Sequence, residues 1–458
     1  MPMTNLESLV QEGFEGFPDG RLETGEPYHP GLSLEEVGAL MGWRAPAGKR
    51  KPEENPRAPR AGVDCTDLAS AGWAAIFPRG GDPAVREALR PLLDRRREQA
   101  GALYRELAGA EGLQPGEKAT DFLLRQDLLP GSAADPSKLP YYLLLVGGPE
   151  EIPWEFHHQL DFQYAVGRLA FDTPEEYALF ARAALEAEDR PAARPSRRAV
   201  FFGAETFEKE DGSSRVLREL LADRLAANLT PKARDWQVMG VPREQTTREH
   251  LATLLAGPAA PDLLFLAGHG LGYPRDHPSQ RERQGGLICR LGDGSTTSFT
   301  AADLPADPRS PARIVFQYSC NGAGTPRFDA YSPPETPPRE LASRPFVARF
   351  PQRLLGAGTL AFVGHVERTW ALSFLWQGVG SQPTVFEDAL LRLFQGQRVG
   401  AALETFGQRR GDLLSTLEEL RRASAGRPPD ALETRIWKAA QDARTYVLLG
   451  DPAVRLPL

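Results

Sequence analysis

The chain has 458 residues, 25% of them charged and 41% hydrophobic, and a formal net charge of -7. That length calls for more than one small core, and the composition is that of a globular protein, neither disordered nor fibrous. The acidic excess argues against nucleic-acid binding, no apolar run reaches the length of a membrane span, and three cysteines, Cys65, Cys289 and Cys320, are too scattered for a disulfide scaffold.

The first twenty residues are acidic and lack a basic segment followed by an apolar one, so no secretory signal is read there and a reducing, cytoplasmic setting is expected. Residues 1–125 read as an N-terminal extension, irregular at first and helical later. Its stretch "APAGKRKPEENPRAPRAG" is a Pro- and charge-rich linker. The helical pattern covers "PAVREALRPLLDRRREQAGALYRELAGA", with Pro91 as the break.

Residues 126–196 read as a first α/β subdomain. "YYLLLVGG" has the run of apolar residues of a buried parallel strand. A helix follows "YAVGRLAFD", started by Asp172 or Thr173 with Pro174 in its first turn. His157 and His158 lack a matching carboxylate or cysteine spacing and read as surface-loop residues; no metal and no cofactor are expected.

Residues 197–458 form the larger subdomain. "AVFFGAE", "DLLFLAG", "ARIVFQYSC" and "GTLAFVGH" read as strands alternating with helices, and "TYVLLGDPAVRL" closes the chain. This order predicts a mostly parallel sheet with helices on both faces, and a site beyond the carboxyl ends of its strands. His269 and Cys320 both stand at such ends. "GHGLGY" does not match the dinucleotide fingerprint, because its last required glycine is Tyr273.

A histidine and a cysteine on neighbouring strand ends suit nucleophilic catalysis. Cys320 would attack a carbonyl as the thiolate, and His269 would protonate the leaving amine. The N–H groups of Gly270 and Cys320 would bind the oxyanion. Glycine on both sides of His269 is expected to let the backbone turn and a substrate approach. The competing readings are a small buried hydrophobe for Cys320 and a structural turn residue for His269.

The stretches "LLFLAGHGLG", "FQYSCNGAG" and "TYVLLGDPAVRL" resemble the gingipain-like cysteine peptidases, relatives of caspases and CHAT proteases. His269 and Cys320 lie 51 residues apart, close to the roughly 50 of caspases. "YYLLLVGGPEEIP", "YAVGRLAFDTPEEY" and "GAGTLAFVGHVERTWALS" extend the resemblance, which covers residues 139–458. It implies a caspase-like three-layer α/β sandwich with two α/β subdomains.

The resemblance implies roles one position at a time. His269 and Cys320 become the dyad, Gly270 an oxyanion-hole residue, and Glu205 an acid orienting the histidine. Trp370 becomes the wall of the pocket for the residue before the cut (P1). Asp211 is the candidate pocket carboxylate for a basic P1 residue. Ser373, three past Trp370, is not an acid, against a lysine-specific pocket. Glu367 and Arg368 sit beside the pocket with opposite charges, which leaves an acidic preference open.

The activity expected is therefore cysteine endopeptidase, acting on intracellular proteins with a basic P1 preference. A regulatory protein or ligand is expected to reach the N-terminal region, and neither nucleic acid nor membrane is an expected partner. The alternatives are a catalytically weak caspase-like module that binds a partner, and an executioner protease of a bacterial defence or cell-death system. "PRFDAYSPPETPPRELASRP", directly after the nucleophile, reads as a mobile loop for self-processing or gating.

Overall fold

The computed structural model describes residues 20–21, 59–189, 197–205, 212–257, 260–305, 311–332, 337–376, 378–424 and 427–456. In chain order the first strands are β1 (Gly20–Arg21), β2 (Trp73–Ile76), β3 (Tyr104–Leu107), β4 (Tyr142–Val146), β5 (Ala165–Leu169), β6 (Arg198–Gly203), β7 (Gln237–Gly240) and β8 (Leu263–Ala267). The second half adds β9 (Gly270–Leu271), β10 (Leu287–Arg290), β11 (Thr296–Phe299), β12 (Ile314–Tyr318), β13 (Gly324–Thr325), β14 (Phe346–Val347), β15 (Ala361–His365), β16 (Leu375–Trp376), β17 (Gly380–Ser381) and β18 (Tyr446–Gly450).

Ten of them form one sheet in the order β3-β2-β4-β5-β18-β15-β12-β8-β6-β7. The strands from β3 to β18 run parallel, those from β15 to β7 run parallel, and the two halves meet at the antiparallel pair β15–β18. The expected mostly parallel sheet is thus present, with one reversal where the last strand of the chain inserts between β5 and β15. The central strands are buried along their whole length, which is why they read as mostly apolar runs, with Gln317 in β12 and His365 in β15 as buried polar residues. Phe265 stacks between Phe201 and Phe316 at ring separations of 5.5 and 5.2 Å, tying β6, β8 and β12 together.

Two elements of the N-terminal part differ from the sequence reading. "WAAI" is strand β2, and the helical pattern ends at Ala100, with "YREL" forming strand β3. Both strands join the main sheet, so part of the region read as an extension is integral to it. Periodicity alone does not separate a short buried strand from a helical continuation. Pro91 does mark the break: the helix Pro83–Ala88 stops, and Arg90–Ala100 begins with the proline in its first turn. Asp451 of the closing "GDPAV" is buried and accepts from the Trp73 indole at 3.0 Å and from Arg96 at 2.7 Å, which fastens this region to the end of the chain.

His157 and His158 lie in the helix Trp154–Leu160 and are buried, correcting the surface-loop reading. They pack beside Trp154, over whose ring Arg168 stacks at 4.6 Å. Arg168 also donates to the carbonyls of Gly147 and Ile152. The limbs of the segment after Cys320 are likewise paired among the described residues. Asp329 N–H donates to Arg339 O, Leu341 N–H donates to Arg327 O, and the Arg327 side chain pairs with Glu340 at 2.9 Å. Its two limbs form a short antiparallel pair, which its proline content concealed.

Candidate active site

The site lies where the chain direction across the sheet reverses. From β6 the chain moves outward to β7, then returns to β8 on the other side of β6, and continues through β12 to β15. Such a reversal opens a crevice at the carboxyl ends of the two strands that flank it. Glu205 follows β6 and His269 follows β8. Strands β8 and β12 are paired in register, with Tyr318 opposite Ala267, so two residues further on Cys320 comes level with His269.

The glycines beside His269 have a reason other than the one expected. Neither adopts the left-handed conformation. A Cβ at Gly270 would overlap the carbonyl oxygen of Cys320 and lie 2.8 and 2.9 Å from its C and N atoms, and a Cβ at Gly268 would lie 2.8 Å from that of Ala204. The glycines make room for the protein's own strand ends, and the backbone of Cys320 is packed directly against the residue after His269.

Each of the two chemical groups has a partner that the sequence did not indicate. His269 Nε2 is 3.1 Å from Ser213 Oγ, at the start of the helix Gly212–Val216. Cys320 Sγ accepts the N–H of Thr369 at 3.2 Å and has the Thr369 hydroxyl at 3.6 Å. Donors on sulfur favour the thiolate over the thiol. Thr369 sits on the segment after β15, whose backbone is laced to the turn that carries Cys320. Asn321 N–H donates to Glu367 O at 2.6 Å, and Ala323 N–H to His365 O at 2.8 Å. Asn321 and Glu367 both have positive φ, 57° and 82°, a costly conformation for non-glycine residues that recurs where surrounding structure holds a site in place. The pair is closed: His269 is 1% exposed and Cys320 0%.

Glu205 is buried at the end of β6, but its carboxylate is clamped by Arg218 at 2.5 Å and Arg243 at 2.8 Å. Arg218 in turn pairs with Glu219 and Asp223. Two guanidiniums, from elsewhere in the chain, thus pair with the oxygens of the carboxylate expected to orient the histidine.

Trp370 is buried, donating its indole N–H to Tyr331 Oη at 3.1 Å and its backbone N–H to Asp442 at 2.9 Å. That makes it part of a small core beneath the site, packed with Tyr331, Leu372 and Trp437. Glu367 is buried beside it. Burial, and next the charge of Asp329, push its carboxyl up to about 8. Arg368 pairs with Asp329 at 2.6 Å and lies over the Tyr331 ring. Ser373 donates to Asp442, whose carboxyl burial pushes up to about 7. Asp211 lies outside the described residues.

No family model matches the chain, and no curated protein matches it in sequence. Its fold, however, has solved counterparts. The crystal structure of the Arg-specific cysteine proteinase gingipain R superposes with a TM-score of 0.50 at 13% identity, covering 85% of this chain and 78% of that one. The chain has the gingipain fold. A structure described only as a protease gives a TM-score of 0.50 at 12% identity, covering 85% and 80%. The caspase-like sandwich expected from the short motifs is therefore present. Among the described residues no helix is long and apolar enough to cross a membrane.

Ser213 and Thr369 were the residues that sequence reasoning missed. Ser213 stands two positions after Asp211, in a stretch noted for that carboxylate. Thr369 stands directly before Trp370, in a stretch noted for its aromatic and charged residues.

Proposed function

We propose that the chain is a cysteine endopeptidase with Cys320 as nucleophile and His269 as the acid–base partner. The observation that carries this reading is the register of β8 and β12, which brings the two residues level at adjacent strand ends, with Gly270 packed on the backbone of Cys320. The Cys320 thiolate attacks the scissile carbonyl carbon, forming an S–C bond and an oxyanion that the N–H groups of Gly270 and Cys320 hold. His269 protonates the amine as the C–N bond breaks. Water, deprotonated by His269, then hydrolyses the thioester. Ser213 Oγ on Nε2 fixes the orientation of the imidazole during these transfers.

The substrate class we propose is protein, cut after a basic residue by a cytoplasmic enzyme. Glu367 Oε1 supports the basic preference: it is a buried carboxyl oxygen with no hydrogen-bond donor among the described residues, two positions from Thr369, and its carboxyl, protonated at neutral pH in the closed site, would give up that proton on pairing with a cation. Arg368 supports the opposite reading, an acidic P1 residue, because its Nε and Nη1 are buried without an acceptor among those residues.

Cleavage of a peptide library by wild type and Cys320→Ala tests the proposal. Cutting that depends on Cys320 is expected, with the residue before the cut deciding between Glu367 and Arg368. Equal cutting by Cys320→Ala would sink the mechanism, and no cutting by either would favour the partner-binding module.

A further inference from the structure

Strand β9 carries Gly270 and is bordered on one side by β10. His269 O accepts from Ile288 N–H at 2.8 Å, and Leu271 N–H donates to Gly286 O at 2.7 Å. Residues 269 and 271 thus spend their groups on the β10 side. Backbone groups alternate between the two edges of a strand, so the N–H and C=O of Gly270 face the other edge. That edge is occupied. Strand β1 pairs with β9 in parallel, Gly20 opposite Gly270 and Arg21 opposite Leu271. β1 belongs to the far N-terminal part of the sequence, well before strand β2.

We infer that the edge of β9 opposite β10 is an acceptor site for an extended peptide strand, filled in this state by the chain's own Gly20–Arg21 segment. Strand addition uses main-chain hydrogen bonds and so accepts many sequences. Its occupant shields the Gly270 amide, the group assigned above to the oxyanion, next to a dyad that is itself closed. This rests on the peptidase reading as far as inhibition is concerned; the strand site stands on the ladder alone. The segment and a substrate compete for one edge, and the apparent affinity for substrate is lowered by the fraction of chains in which the edge is filled.

The test uses the full chain with Arg21→Pro. In a parallel ladder the Gly270 carbonyl takes its bond from the N–H of residue 21, which proline lacks. Arg21→Ala keeps the N–H and serves as the control. Hydrogen exchange at residues 268–273 is expected to quicken about tenfold or more in Arg21→Pro, the loss of one or two backbone bonds. It should stay slow in Arg21→Ala, with β8 amides unchanged in both. Cys320-dependent peptide hydrolysis should rise by a similar factor. Unchanged exchange in Arg21→Pro, or equal release in Arg21→Ala, overturns the ladder. Faster exchange without faster hydrolysis, in a protein that does cut peptides, overturns the shielding role. If neither protein cuts, faster exchange still upholds the strand site, and it is the peptidase reading that fails.

Discussion

Gly270 rests on the backbone of Cys320 so closely that no side chain fits between them. Gly270→Ala must therefore push the end of β8 away from the end of β12. Backbone atoms cannot rotate aside, so the displacement passes to the reacting groups, and misplacement by about 1 Å costs on the order of 100-fold in rate. We expect Gly270→Ala to lose peptide hydrolysis by about that factor and to melt at a lower temperature. Wild-type kinetics in this variant would contradict the packing.

Thr369 and Cys320 give a second prediction. Thr369→Val keeps the N–H donor to Sγ and removes the hydroxyl. One hydrogen bond of about 1 kcal/mol corresponds to about 0.7 on the pH scale. The midpoint of Cys320 alkylation against pH is expected to move upward by about that amount, and Thr369→Ser to restore it. An unmoved midpoint would remove the hydroxyl from the account of the nucleophile.

Glu205 separates two roles. Its carboxylate holds Arg218 and Arg243, so Glu205→Gln leaves a partly buried guanidinium cluster short of one anion. Removing one partner of a buried pair costs on the order of 3 kcal/mol; Arg243 is half exposed, which screens its share. We expect a lower melting temperature with kcat/KM little changed in the folded fraction. A large fall in kcat with an altered pH–rate profile and an unchanged melt would instead return Glu205 to the histidine.

Two buried carboxyls beneath the site make stability fall as pH rises. Glu367 faces Asp329, Arg368 and Arg444, and Asp442 faces Ser373, Tyr446 and Arg409. Their folded values of about 8 and about 7 lie above the ordinary carboxylate range. Between pH 5 and 7 the unfolded chain has released these protons while the folded chain keeps them. Each group then costs about 1.4 kcal/mol per pH unit. His365 acts in the opposite direction: burial lowers it to about 3, so its contribution is lost as pH falls below about 6.5. Asp442→Asn is expected to flatten the decline in melting temperature between pH 5 and 7; an identical decline in this variant would refute the assignment.

Much of the fold was legible because its information is local. The buried strands of the second half are mostly apolar runs, and strand–helix alternation leaves few arrangements besides a parallel sheet. The same runs showed where the strands stop, and so singled out His269 and Cys320. Strands β2 and β3 were less visible, since four residues show no period.

The sequence by itself determined the chemistry on offer: a thiol and an imidazole at the ends of two buried strands, in an order shared with the gingipain-like peptidases. Tertiary structure decided what surrounds them. Ser213 meets His269 across 56 positions and Thr369 meets Cys320 across 49, while Glu205 turns to two arginines and β1 returns to the edge of β9. Those pairings depend on strand register and on which buried charge finds which partner. Both are properties of packing in three dimensions, and no local pattern of residue types encodes them.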